Sequence, residues 1–95
     1  MPQIPRIVRF TTRRESHAEL GERLKALVTE TRKEPGCIRY DLFADEAGRW
    51  TVIEVWRDMA ASDSHLAQPL VVELMPLLEG FLTEPPHIEE LEVVA

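Results

Sequence analysis

The chain has 95 residues, 44% of them hydrophobic, and a formal net charge of −6, which suits one folded domain over residues 1–95 and argues against a nucleic-acid partner, since that needs clustered lysine and arginine. No apolar run reaches the roughly 18 residues of a membrane span, and the N-terminus lacks the cationic start and apolar centre of a signal peptide. Cys37 is the only cysteine, so an internal disulfide is impossible and a cytoplasmic protein, with no membrane partner, is the expectation.

Residues 6–12, R-I-V-R-F-T-T, are rich in β-branched and aromatic types and predict a strand, with Val8 and Phe10 on one side and Ile7 and Arg9 on the other. Ser16 followed by Glu19 has the spacing of a capping box and predicts a helix start. Leu20, Leu24, Leu27, Val28 and Thr31 then form one apolar stripe. Pro35 and Gly36 require that helix to end near Lys33.

A second strand is expected from Cys37 to Phe43, with Ile38, Tyr40 and Leu42 alternating against Cys37, Arg39, Asp41 and Phe43. Asp45 to Gly48 is polar and ends in glycine, as a hairpin turn does. The third strand, Trp50 to Arg57, puts Trp50, Val52, Glu54 and Trp56 on one face and Thr51, Ile53 and Val55 on the other. Asp58 can cap a short polar helix, Met59 to Ala67. A second helical stretch opens at Pro69, is apolar nearly all round as if buried on more than one side, and should kink or divide at Pro76. The prolines at 85 and 86 end it, and a last strand follows from His87 to Val94.

Strand, helix, strand, strand, helix, strand is the split βαβ order of an α+β, ferredoxin-like sheet. Two helices cover only one face of such a sheet, yet the third strand is apolar on both. A second copy packed sheet to sheet would cover the other face, so a homodimer is expected.

There is no glycine-rich phosphate loop, no G-x-S-x-G and no H-E-x-x-H. His17, His65 and His87 with Cys37 lack the spacing of a metal site, so no metal is expected. Cys37 fits an inert half-buried thiol, His17 a solvated first-turn residue and His87 a strand-edge residue. Glu54 shares a face with both tryptophans. Beside indoles its carboxylate loses hydration, which raises its pKa and suits it to proton exchange near neutrality; the plainer alternative is a rim carboxylate paired with Arg39 or Arg57. Trp56 can wall an aromatic pocket or simply fill the core. His65 matters if its helix turns it towards the space behind Trp56. Glu54 in a dry sheet-to-sheet interface would be costly, which places its face on the helix side.

The segments E-P-G-C-I-R-Y-D-L-F and I-E-V-W-R-D-M-A-A-S-D-S-H-L-A-Q-P resemble the antibiotic biosynthesis monooxygenase (ABM) domain family, and within it the quinol monooxygenase type. The resemblance also takes in R-F-T on the first strand and P-L-L before the last. It implies a dimeric α+β barrel of two ferredoxin-like sheets packed face to face. It further implies cofactor-independent oxygenation, in which a deprotonated, electron-rich phenol reduces oxygen itself and the protein binds, desolvates and takes a proton. Trp56 matches the family's tryptophan position. The asparagine that polyketide oxygenases and haem degraders of this family carry on the first strand has no counterpart, because the chain contains no asparagine. Where many relatives read S-P-H-F after the helix histidine, this chain reads A-Q-P-L-V, which leaves a haem ligand no candidate beyond His65.

The expectation is therefore a monooxygenase acting on a phenolic or hydroquinone-type small aromatic substrate. Trp56 and Tyr40 would bind that substrate, and Glu54 or His65 would take its proton. The alternatives are a non-catalytic dimeric module that binds an aromatic small molecule and a proton-transfer isomerase on the same barrel.

Overall fold

The computed structural model describes residues 2–95. Four strands, β1 (Ile4–Phe10), β2 (Cys37–Ala44), β3 (Trp50–Trp56) and β4 (His87–Glu90), form one sheet in the order β2-β3-β1-β4, with every neighbouring pair antiparallel. The helices α1 (His17–Thr31), α2 (Met59–Leu66), α3 (Pro69–Leu74) and α4 (Leu78–Phe81) complete the α+β, ferredoxin-like arrangement expected from the sequence. Among the described residues no helix is long and apolar enough to cross a membrane.

The apolar stripe of α1 does what its spacing predicts: Leu20, Leu24, Leu27, Val28 and Thr31 are all buried. They pack over Phe10, Val52 and Tyr40 of the sheet, and Val71, Leu74, Leu78 and Leu82 close the same core. Gly21 is needed there, because a Cβ would collide with the Trp50 indole. In the β2–β3 hairpin Gly48 takes φ 78°, and its N–H donates to the Asp45 carbonyl at 3.0 Å.

β1 starts two residues earlier than expected. The Pro5 carbonyl accepts from the Leu91 N–H at 3.1 Å. The N–H that Pro5 lacks would point to that same side, past the end of β4, so the ladder to β3 loses nothing. β4 itself ends at Glu90 rather than Val94, because the next residue, Leu91, faces Pro5, which has no N–H to complete the pair.

At the start of α1 the expected capping box is not made. Ser16 is itself helical, at φ −101° and ψ −8°, and its side chain caps nothing. A 3-10 turn, Arg14–Ser16, precedes it, and the extended residue at the entrance is Arg13. His17 is not solvated but half-buried: its ring stacks on Trp50 at 4.6 Å, and Nδ1 meets Thr12 Oγ1 at 3.1 Å.

A β-bulge between Cys37 and Arg39 corrects the expected alternation of β2. Cys37 pairs with Trp56 and Tyr40 with Glu54, while Ile38 is left exposed. Pro76 divides its helical stretch as predicted, placing a 3-10 turn, Met75–Leu77, between α3 and α4. That stretch is buried on one side only, since Val72, Met75 and Leu77 lie exposed.

Candidate active site

The register of β1 against β3 pairs Val8 with Val52 and Arg6 with Glu54. Val52, Glu54 and Trp56 are all buried under the helices, so the face carrying Trp56 and Glu54 is the helix side, as the cost of burying a carboxylate in a dry interface predicts. Between sheet and helices lies a cavity of about 340 Å³, lined by apolar side chains such as Val8, Leu24, Val52, Val71 and Leu74 and by the polar groups of Arg6, Tyr40, Glu54, Ser62 and His65.

Two local devices deliver His65 to this cavity. Asp58 caps α2, its Oδ1 accepting the Ala61 N–H at 2.9 Å. The turn before β2 passes directly under the same helix, because Gly36 has no side chain and any Cβ there would overlap the Ala61 methyl. One helical turn beyond Ala61, His65 therefore stands over the same turn. There its Nδ1 meets Glu34 Oε2 at 3.0 Å. Backbone bonds hold Glu34 in place: its N–H donates to the Thr31 carbonyl at 3.0 Å, and its own carbonyl accepts from the Cys37 N–H at 3.0 Å.

The imidazole of His65, 6% exposed, lies in an aromatic nest. Its centroid is 4.7 Å from Trp56 and 5.4 Å from Tyr40, and the two aromatic rings are 6.3 Å apart. An ionised Glu34 only accepts, so in the neutral imidazole this contact selects the Nδ1–H tautomer, whose lone pair is on Nε2. Among the described residues no protein group bonds Nε2.

Glu54 is only 7% exposed and, among the described residues, reaches no donor at full hydrogen-bond distance; the nearest cation among them is Arg6 Nη1, 3.7 Å from Oε1. Burial pushes its carboxyl above the usual range, opposed by the Trp56 indole, His65 and Arg6. The indole N–H of Trp56 exerts that pull although, among the described residues, no acceptor meets it in full hydrogen-bond geometry. The expected rim partners of Glu54 are engaged elsewhere, Arg39 with Asp41 at 2.6 Å and Arg57 with Asp58 at 3.2 Å. Arg6, from the neighbouring strand, takes that position instead. Its Nε–H donates to both carboxylate oxygens of Glu90, at 2.7 and 2.9 Å, and Nη1 donates to Ser62 Oγ. Burial, then the nearby Glu54 carboxylate, raises the Tyr40 hydroxyl far above its ordinary range, which keeps it a neutral donor.

The four residues singled out from the sequence thus come together, but not in equal roles. Tyr40, Glu54 and His65 line the cavity, whereas Trp56 is completely buried and stands behind Tyr40 and His65. Sequence reasoning missed Glu34, Arg6 and Ser62. Arg6 could have been found by pairing the first and third strands, but Glu34 depends on the close approach of Gly36 and Ala61. Cys37 is half-buried with its thiol pKa raised, mainly by burial and then by Glu34 and Glu54, as suits an unreactive thiol. Among the described residues no three His, Cys, Asp or Glu side chains are grouped to hold a metal ion.

Fold and cavity together define a small ferredoxin-like α+β domain with a titratable cluster under its helices. Residues 4–76 match the antibiotic biosynthesis monooxygenase family, and the chain belongs to that family. A Mycobacterium tuberculosis protein named "Putative monooxygenase Rv0793" is 32% identical over 80 residues, 83% of this chain and 79% of that one. The solved structure of Rv0793 superposes with a TM-score of 0.93 at 29% identity, covering 98% of this chain and 96% of that one. PA3566 of Pseudomonas aeruginosa superposes with a TM-score of 0.92, also at 29% identity, over 100% and 97% of the two chains.

Proposed function

We propose that the protein is a cofactor-independent monooxygenase of the quinol type that oxidises a phenolic or hydroquinone-like aromatic molecule with O2. One observation carries this reading: a histidine anchored through Nδ1 by Glu34 turns its other nitrogen free in a largely apolar cavity, beside a neutral tyrosine. Family membership and a relative named as a monooxygenase support the oxygen chemistry.

In this mechanism the aromatic ring lies against Val52, Leu24 and Leu74, and His65 Nε2 takes the proton of a ring hydroxyl. The apolar walls withhold water from the resulting anion and keep it electron-rich. The anion passes one electron to O2, and the radical pair combines to form a carbon–oxygen bond. His65 returns its proton to the peroxide, which loses water to leave a quinone carbonyl. For a simple hydroquinone the balance is one hydroquinone and one O2 giving one hydroxybenzoquinone and one water. All the electrons that reduce O2 come from the substrate. Tyr40 is placed to donate to the developing oxyanion, Glu54 and Arg6 to hold a second polar substituent.

The working unit in this reading is a homodimer, paired through the sheet face that carries Ile7, Ile53 and Val55, and its setting is the cytoplasm. The apolar character of that face supports the pairing, and the free thiol of Cys37 suits a reducing compartment.

The test is oxygen uptake by the purified protein over a panel of hydroquinones and polycyclic phenols, with His65→Ala as control. Uptake well above the spontaneous rate, lost in the variant, is the expected result. A proton-transfer isomerase would convert substrate without consuming oxygen. Quenching of tryptophan fluorescence by the same compounds without turnover would identify a binding module instead.

A further inference from the structure

Glu34 belongs to two spaces at once. Its Oε2 holds His65, which lines the cavity. The same residue, with Leu27, Thr31, Pro35, Gln68 and Pro69, also lines a separate surface cleft of about 360 Å³ between the end of α1 and the start of α3. We infer that Glu34 orients His65 and carries protons between His65 and water in this second cleft.

The inference rests on the proposed reading of His65 as the base. An aromatic molecule filling the cavity would cut Nε2 off from solvent on that side. Glu34 is then the polar group that still touches the imidazole, through Nδ1. A substrate hydroxyl gives its proton to Nε2; the Nδ1 proton passes to Glu34 Oε2; Glu34 releases a proton to water in the cleft. The same steps in reverse bring a proton back for the peroxide, so the relay is neutral over a turnover.

The charged surroundings allow this. Glu30 and Lys33, which line the cleft, are paired with each other at 2.6 Å, and Arg32 is turned to Asp41 at 2.8 Å. Neither cation competes for Glu34. On the other side of the imidazole stand Tyr40 and Glu54, the latter near enough for an imidazolium to pull its carboxyl down, and the Cys37 thiol lies close enough to Glu34 and Glu54 to be raised by both.

The experiment is NMR of the whole chain carrying 15N-labelled histidine, reading the tautomer of His65 and the exchange of its imidazole N–H with water. The expected tautomer is Nδ1–H. Glu34→Gln keeps an acceptor for that N–H but cannot take a proton, so exchange should slow about 10-fold or more; Glu34→Asp should restore much of it. An Nε2–H tautomer in the unaltered protein would overturn the inference without recourse to any variant, as would equal exchange rates in Glu34→Gln and its parent. With a substrate, Glu34→Gln should lower kcat about 10-fold or more at unchanged KM, and added imidazole buffer should recover part of the loss. Absence of oxygen uptake in the unaltered protein would remove the proposed reaction while leaving the NMR result to stand or fall separately.

Discussion

The sheet's two faces are built from the same strands and solve opposite problems. Beneath the helices, polar groups sit inside and apolar ones surround them: Glu54, His65 and Tyr40 are buried among leucines and valines. On the open face the order is reversed. Ile7 and Ile53 pair across the centre, with Val55 beside them, and the charges stand around them as ion pairs, Arg39 with Asp41 at 2.6 Å and Arg9 with Glu89 at 3.0 Å. Arg39 holds the Asp41 carboxyl below its usual range, so that rim stays charged. A buried polar cluster that is incompletely bonded is suited to a small molecule that brings the missing partners. A flat apolar centre with a self-satisfied polar rim is suited to another flat surface.

Breaking the helix face should cost most. Gly36→Val drives a side chain into Ala61 and lifts α2 from the turn, with an expected loss of about 3 kcal/mol in thermal denaturation. It should also separate His65 from Glu34, so turnover should fall further than stability explains. His65→Ala should act mainly on the chemistry: turnover should drop at least about 100-fold, while the cavity it leaves lowers the melting temperature without changing the circular dichroism of the folded chain. Ile53→Lys addresses the opposite face. In the proposed homodimer, sedimentation should move from the mass of two chains to that of one while the secondary structure persists, and a surviving dimer would refute pairing through that face.

The smallest effect sharpens the contrast through pH. A carboxyl whose pKa is raised on folding costs nothing while protonated, and it lowers stability as pH rises through the unfolded value towards the folded one. Glu54→Gln removes that cost, and Arg6 keeps Glu90 as its partner. The variant should therefore match its parent under acidic conditions and exceed it at neutral pH by on the order of 1 kcal/mol in melting experiments. Equal melting at both pH values would mean that Glu54 is not held against its charge.

Much of this was legible in the sequence where one local cause decides the outcome. The stripe on α1, the Gly48 turn, the Asp58 cap and the break at Pro76 each follow from a few neighbouring residues. The strand parity that set Glu54 and Trp56 on one face also survived. Parity failed at Ile38, where a bulge adds a residue that no alternation rule foresees. It could not separate Tyr40, which lines the cavity, from Trp56, which only backs it, since depth depends on how helices settle on the sheet. Glu34 was hidden for the same reason. It lies 31 residues from His65, and they meet only because a glycine lets a turn and a helix touch.

The break at Pro76 reaches beyond the helix it interrupts. Because of it, one wall of the cavity is assembled from short pieces, with Val71, Leu74 and Met75 before the proline and Leu78 after it. These residues belong to neither the strand ladders nor the Glu34–His65 pair. Exchanging them changes the outline a molecule must fit while the Glu34–His65 pair keeps its place, so the roof can be reshaped over an inherited floor.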